Sequence, residues 1–474
     1  MLEITEYKNA DSVFRFFEEI SKIPHGSENT SPIADYLVDF ARERGLWYTR
    51  DKSDNVIIRK GATPGYEDRP TVIFQGHTDM VADKTADCEK DLEKEGLDLY
   101  RDGDFIRAKG TTLGADDGIA LAYALAVLDA DDIPHPEFEA LFTSDEEIGL
   151  LGATALDAKD LKGKLMINID SDDEGVFTVG CAGGIRTDTS ITVKKEADPC
   201  TVYTLSVSGL KGGHSGVEID KGRINAIKVV AEILSAITDV RISAINGGNA
   251  DNAIPRSTEC SFTFCECEKN KLLAAVAKCK EKYTNAEPDI EFSLKKLDKA
   301  APVLNIQDSA RILKFINEAP SGVVKMSDDI VGQVETSANL GIIETADGAV
   351  RVAVSLRSSK NTEKEKLLAK IQSIADSIDA EFDTRGAYPA WEYKKDSYLR
   401  ELMRRVYADM YGKEPEVVTI HAGLECGIFS EKIPGLDCVS MGPDNFDIHT
   451  PEEHLSISST ARVWEYLKNV LKEI

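Results

Sequence analysis

No apolar run in the chain approaches the roughly 20 residues a helix needs to cross a bilayer. The opening stretch MLEITEYKNADSVF has neither the basic nor the apolar region of a secretory signal. A cytoplasmic protein is the expectation. The nine cysteines (88, 181, 200, 260, 265, 267, 279, 426 and 438) are an odd number without paired C-x-x-C spacing. They indicate neither a disulfide framework nor a zinc ribbon, and buried thiols are expected. Cys265 and Cys267 fall in an alternating run that reads as a strand, both on one face. Positive charge is also short: 56 Lys and Arg against 83 Asp and Glu leave a net charge of −27. That balance opposes binding to nucleic acid or to an anionic membrane, both of which attract clustered cations.

What is present describes a folded chain of more than one domain. At 474 residues, with 42% hydrophobic and 7% aromatic content, the chain exceeds what a single compact core accommodates. Residues 11–22 and 31–45 carry helical periodicity, the second stretch opening after a Ser/Asn/Thr-rich segment suited to capping. KIPHGSENT lies between them, with His25 read as a surface-loop histidine. Strands are expected at 47–50 and 56–59. Alternating strands and helices predict an α/β sheet with helices on its faces.

Four stretches then carry potential ligands, three of them at strand ends. TVIFQGHTDM (71–80) is a strand that stops at Gly76 and presents His77 and, two residues on, Asp79 on the same side of an extended backbone. A ligating histidine with a carboxylate to hold its other ring N–H fits this spacing, as does an ordinary polar strand end. KGTTLGADDGIALAYALAVL sets Asp116 and Asp117 at the mouth of a helix apolar all round, with Gly110, Gly114 and Gly118 permitting close backbone approach. Helix capping is the bland alternative. FEALFTSDEEIGLLGA runs a strand into Glu146 and Glu147, just inside an expected helix start. Adjacent glutamates point apart, so one can bind a cation while the other moves protons. KLMINIDSDDEG ends a fourth apolar stretch at Asp170. In an α/β sheet the C-terminal strand ends line one edge, where ligands bind.

From residue 187 to 384 the pattern becomes α+β, with strands at 202–207, 262–267 and 350–356 and helices at 224–237, 271–283 and 362–378. It reads as a domain inserted into a catalytic domain formed by 1–186 and 385–474. Its two halves have a loosely similar order of elements, without a sequence repeat of fixed period. SGLKGGHSG carries His214, GGNADNAIP carries Asn252, and SLRSS carries Arg357 at a strand end. Each has a bland reading as a turn or surface residue, and if the inserted domain folds over a metal crevice, their location would suit them to an oxyanion and a carboxylate. The chain then returns to α/β, and His449, held before Thr450-Pro451, is the strongest candidate for a further ligand. His421, Glu425 and His454 are weaker ones. His135 reads as structural.

GHTDM, GTTLGADDG, TSDEEIGLLG, NIDSD, GGHSG and HTPEE, in this order and over essentially the whole chain, resemble the dizinc metallopeptidases that include carboxypeptidase G and the cytosolic dipeptidases. KIPHGSENT, GTTLGADDG and HAGLECGIF resemble most the aminoacyl-histidine (Xaa-His) dipeptidases, or bacterial carnosinases. The resemblance implies a zinc-peptidase-like catalytic domain, α/β with a central mixed sheet flanked by helices, plus an inserted α+β lid domain. It implies that Asp116 bridges two divalent metals, with His77 and Asp170 completing one site and Glu147 and His449 the other. Zinc is expected, with Mn or Co as substitutes. Asp79 would orient His77, and Glu146 would be the general base on a water shared by the metals. His214 would meet the oxyanion, and Asn252 and Arg357 the substrate. The implied activity is hydrolysis of Xaa-His and related dipeptides. The alternatives are a broader dipeptidase, a tripeptidase or an N-acyl amino acid deacylase on the same metals. A catalytically silent binding protein on the same fold is a further rival, opposed by the presence of every expected ligand and the base. The partner is a small peptide. Homodimerisation through the inserted domain is left open by the resemblance.

Overall fold

The computed structural model describes residues 2, 4–297 and 300–474. Met1 and Glu3 of the opening stretch lie outside the described residues. Two compact units divide the chain: Met1–Gly180 with Tyr393–Thr419 and Leu424–Ile474, and Cys181–Glu392 with Ile420–Gly423. No helix among the described residues is long and apolar enough to cross a membrane.

In the first unit eight strands form one mixed sheet. They are β1 (Trp47–Arg50), β2 (Val56–Lys60), β3 (Val72–His77), β4 (Phe138–Thr143), β5 (Leu165–Asn168), β6 (Val176–Cys181), β7 (Glu416–Ile420) and β8 (Asp437–Ser440). Their order is β1-β2-β4-β3-β5-β8-β6-β7. β3 runs parallel to both β4 and β5, so three C-terminal strand ends reach one edge side by side. Every residue of these three strands is buried, which is why they read as nearly continuous apolar runs.

Helices α1 (Asp11–Ile20) and α2 (Ser31–Glu43) lie close to their expected bounds. The expected side-chain cap of α2 is not made: Thr30 forms no capping hydrogen bond, and Pro32 in the first turn supplies the start instead. α3 (Ala115–Asp129) is buried from Asp117 to Leu128 and packs on α1 and β3. That approach depends on Gly76, where a Cβ would lie 2.3 Å from the Ala120 Cβ. α4 (Tyr398–Tyr411), α5 (Glu425–Lys432) and α6 (Ile457–Glu473) also belong to the unit, with a short helix at Leu151–Ala155.

The second unit is built on a nine-stranded antiparallel sheet. The order is Glu291–Lys296, Tyr203–Ser208, Thr258–Thr263, Arg241–Gly247, Val334–Ala346, Ala349–Ser358, Gly183–Thr192 and Glu381–Tyr388, with Gly322–Met326 beside Val334–Ala346. Helices Ala226–Leu234, Lys269–Tyr283, Ile306–Glu318 and Asn361–Asp376 contribute to its core. A border at 187 would cut strand Gly183–Thr192, which pairs on both sides within this unit. The expected strand at 262–267 stops at Thr263. The chain turns there, and Cys265 and Cys267, exposed and not buried, form a disulfide with Cα atoms 5.2 Å apart. In an extended strand, residues two apart stand roughly 6.6 Å apart.

Candidate metal centre

The edge at the ends of β3, β4 and β5 gathers the first-unit residues expected to bind metal. His77 is the last residue of β3 and is 1% exposed. Asp170 follows β5, and Asp116 stands at the start of α3 with non-helical backbone angles (φ −87°, ψ 99°). Glu146 and Glu147 lie in a turn after β4, not inside a helix as expected: the next helix spans Leu151–Ala155. The Asp79 carboxylate shapes that turn, its Oδ1 accepting the Glu146 amide at 2.9 Å and its Oδ2 the Glu147 amide at 3.3 Å. His449 occupies a loop at φ 62°.

The two oxygens of Asp116 face different imidazoles. Oδ1 lies 3.1 Å from His77 Nε2, and Oδ2 lies 3.1 Å from His449 Nε2. His77 Nε2 is also 3.8 Å from Asp170 Oδ1, and His449 Nε2 is 2.8 Å from Glu147 Oε1. Three overlapping groups result: His77, Asp116 and Asp170; Asp116, Glu147 and His449; His77, Glu146 and Glu147. Within each, one ligand atom per residue lies within 4.8 Å of the others. Asp79 holds His77 in a way the spacing did not show. Nδ1 of His77 meets the main-chain carbonyl of Asp79 at 2.9 Å, and the carboxylate is farther, at 3.5 Å. Ser27 donates to Asp79 Oδ2 at 2.8 Å.

Carboxylates and imidazoles lie close together and partly buried, and proton affinities respond. Burial pulls the His77 imidazole down, but Asp116 and Asp79 outweigh it and hold the ring well above its ordinary range. Asp116 and Glu147 raise His449 to about 10. Burial works to raise Asp116, yet His449 and His77 bring it below the carboxylate range. Burial pushes Glu146 up to about 8, against the pull of His77 and with Glu425 and Glu147 adding to it. Burial likewise raises Asp170.

These residues fit divalent cations. The donors are imidazole nitrogen and carboxylate oxygen, the set that suits zinc and its first-row neighbours. Glu147 Oε1 is buried and makes no hydrogen bond, although His449 Nε2 is 2.8 Å away. A divalent cation displacing the imidazole proton would find both atoms within reach.

Residues 73–473 match the family described as Peptidase family M20/M25/M40. The chain belongs to that family. It is 37% identical over 469 residues to the cytosol non-specific dipeptidase of Escherichia coli (strain K12), across 97% of this chain and 96% of that protein. The crystal structure of aminoacylhistidine dipeptidase from Vibrio alginolyticus superposes with a TM-score of 0.92 at 37% identity, covering 98% of this chain and 96% of that one. Aminopeptidase PepT from Bacillus cereus shares the fold at 17% identity and a TM-score of 0.57, over 98% and 99% of the two chains.

In this M20/M25/M40 peptidase the remaining expected residues lie in the second unit. His214 pairs with Ala253 in a two-residue ladder, and the Ser215 amide donates to the Asn252 carbonyl at 2.8 Å. His214 Nδ1 accepts the amides of Gly216 and Val217, both at 3.2 Å, which leaves Nε2 as the N–H donor. Arg357 donates from Nη1 to Tyr388 Oη at 3.0 Å, and its buried Nε has no hydrogen-bond partner. Burial and then the Arg357 charge lower both His214 and His421, the latter to about 4. His421, one of the weaker ligand candidates, meets Ser337 Oγ at 2.7 Å and joins none of the metal groups. His454, another, stacks against Phe446. His135 is fully buried against the Pro136 carbonyl, as a structural histidine should be.

Several residues of the first unit take places other than those the sequence suggested. His25 is 4% exposed and not on the surface, because its turn docks on the chain after β3 through the Met80 amide and carbonyl. Asp117 turns away from the cluster and accepts the His77 amide at 3.1 Å. Glu425, fully buried, accepts from Gln75 at 2.6 Å and from Thr143 at 2.7 Å, and burial lifts it to about 7. It supports the ends of β3 and β4 and is not a ligand in any group. A polar residue just before each ligand-bearing strand end, Gln75, Thr143 and Asn168, was the signal available for this buried layer.

Proposed function

We propose that this chain is a metal-dependent dipeptidase whose two cations share Asp116. The observation that carries the reading is the placement of the two Asp116 oxygens, one at His77 and one at His449. His77 and Asp170 would complete one cation site, and Glu147 and His449 the other. Zinc suits this donor set, with Mn or Co as replacements. Bound divalent cations would lower the pKa of water and polarise the peptide carbonyl.

The chain's own groups supply the rest. Glu146, half-buried and with a raised proton affinity, removes a proton from the attacking water and returns it to the leaving amine. Asp79 holds His77 by its carbonyl and the Glu146–Glu147 turn by its carboxylate, so base and ligand are fixed by one residue. His214, with Nε2 as donor, would stabilise the oxyanion, and Arg357 and Asn252 would bind the peptide. Xaa-His and related dipeptides are the proposed substrates, supported by the names of the Vibrio alginolyticus and Escherichia coli relatives. Action in the cytosol is proposed on the second of these names.

A panel of Xaa-His dipeptides, unrelated dipeptides, tripeptides and N-acyl amino acids, assayed with and without a chelator, tests this. Chelator-sensitive cleavage of dipeptides is expected, restored by zinc. Cleavage that survives full removal of metal would end the two-cation reading. Preference for tripeptides or acyl amino acids would end the dipeptidase reading alone.

A further inference from the structure

The loop that carries His449 continues into a second, buried acid, Glu453, which is 2% exposed. Its Oε2 accepts the amides of Leu113 at 2.7 Å and Gly114 at 2.9 Å, and its Oε1 those of Ala115 at 2.9 Å and Asp116 at 3.3 Å. Asn445 Nδ2 adds a longer contact to Oε1 at 3.4 Å. One carboxylate thus takes four consecutive amides, and the last belongs to Asp116 itself. The backbone needs this support. Gly114 sits at φ 66° and Asp116 is non-helical, so regular helix bonding does not fix where Asp116 points. The His449 end is tied just as closely. The Glu453 amide donates to the Thr450 carbonyl at 3.1 Å, and Thr450 Oγ1 donates to the Asp447 carbonyl at 2.7 Å and accepts the Glu452 amide at 3.2 Å. Helix capping alone does not account for the choice of residue. A neutral Asn or Ser caps a helix without adding a buried negative charge beside Asp116.

We propose that Glu453 is a positioning residue that locks the Asp116 loop to the His449 loop and so presets the spacing of two ligands of the cation site. This rests on the two-cation reading above. Glu453 touches neither cation nor substrate. It acts by fixing the backbone from which the shared ligand projects, as groups behind the ligands do in metal sites generally.

The test is metal binding to the full-length protein, by zinc titration against a competing chelator, with kcat and KM measured alongside. Glu453→Gln keeps the length but replaces one acceptor oxygen with a donor, and Thr450→Ala loosens the exposed loop while leaving the Glu453 carboxylate and its amides intact. Zinc affinity in Glu453→Gln should fall by about 10-fold or more. Added zinc should restore kcat, with KM unchanged at saturating metal. Wild-type affinity in a folded Glu453→Gln, or a kcat deficit that zinc does not restore, would reduce Glu453 to a helix cap and overturn the proposal. Should Glu453→Gln fail to fold, Thr450→Ala decides: weakened zinc binding supports the lock, and unchanged binding overturns it. A wild-type protein that binds zinc but cleaves no peptide would instead count against the peptidase reading alone.

Discussion

The two units carry polar clusters of different construction. In the first, the candidate ligands hang from the ends of three adjacent parallel strands and the start of one buried helix, so sheet geometry brings His77, the Glu146–Glu147 turn and Asp170 to one edge. In the second, His214, Arg357 and His421 come from a short ladder, a long antiparallel strand and a crossing loop. Their proximity depends on register and on which loop crosses where. The first cluster is rich in carboxylates, which raise the proton affinity of its imidazoles. The second has an unpaired guanidinium nitrogen, and its imidazoles are pushed toward neutrality. Under the proposed function the difference would serve two tasks: capturing cations in one case, and meeting an anionic or polar group in the other.

Substitutions that separate these tasks test the contrast. The largest effect is expected for Glu146→Gln, which should cost about 10²-fold or more in kcat while zinc content by elemental analysis stays at the wild-type level. Near wild-type turnover would remove Glu146 from the role of base. Arg357→Ala should lower kcat/KM by about 10-fold, the scale of a charge-assisted hydrogen bond, again with full metal content. A loss of zinc in that variant would collapse the distinction between the clusters.

Two pH effects follow. His77 and His449 hold protons above the ordinary imidazole range when no cation is present. A cation must displace those protons, so metal affinity should rise with pH and binding should release protons. Calorimetric titration in buffers of different ionisation enthalpy measures the release, and a value of zero would contradict the assignment. The smallest effect belongs to His421. Its folded-state pKa of about 4 lies below the ordinary 6.5, so the unfolded chain takes up the proton first. The stability it contributes is complete above pH 6.5 and declines as pH falls from 6.5 toward 4. His421→Gln should therefore narrow the difference in Tm between pH 7 and pH 5 in chelator-treated protein. An unchanged difference would mean that another group dominates this window.

The sequence by itself determined the segments that carry the candidate ligands, because strands buried on both faces appear as apolar runs and a polar residue at the end of such a run stands out. His77 and Asp170 stood out in this way, and Glu147 just beyond such a run, whereas Asp116 was marked by its glycine-rich helix start and His449 by the Thr450-Pro451 that follows it. The family resemblance came from the same motifs. Several features were decided only by the tertiary structure. Asp79 serves two neighbours through different atoms, and Glu146 and Glu147 sit in a turn that Asp79 holds by its carboxylate. His25 is buried by a segment far along the chain, and Cys265 and Cys267 meet where a strand gives way to a turn. Glu453 binds amides of residues 113–116 from a loop more than 300 positions later. In each case the partner is a backbone amide, a carbonyl or a packing surface distant in sequence. Such groups are present at every residue, so composition and spacing carry no mark of which one will be used.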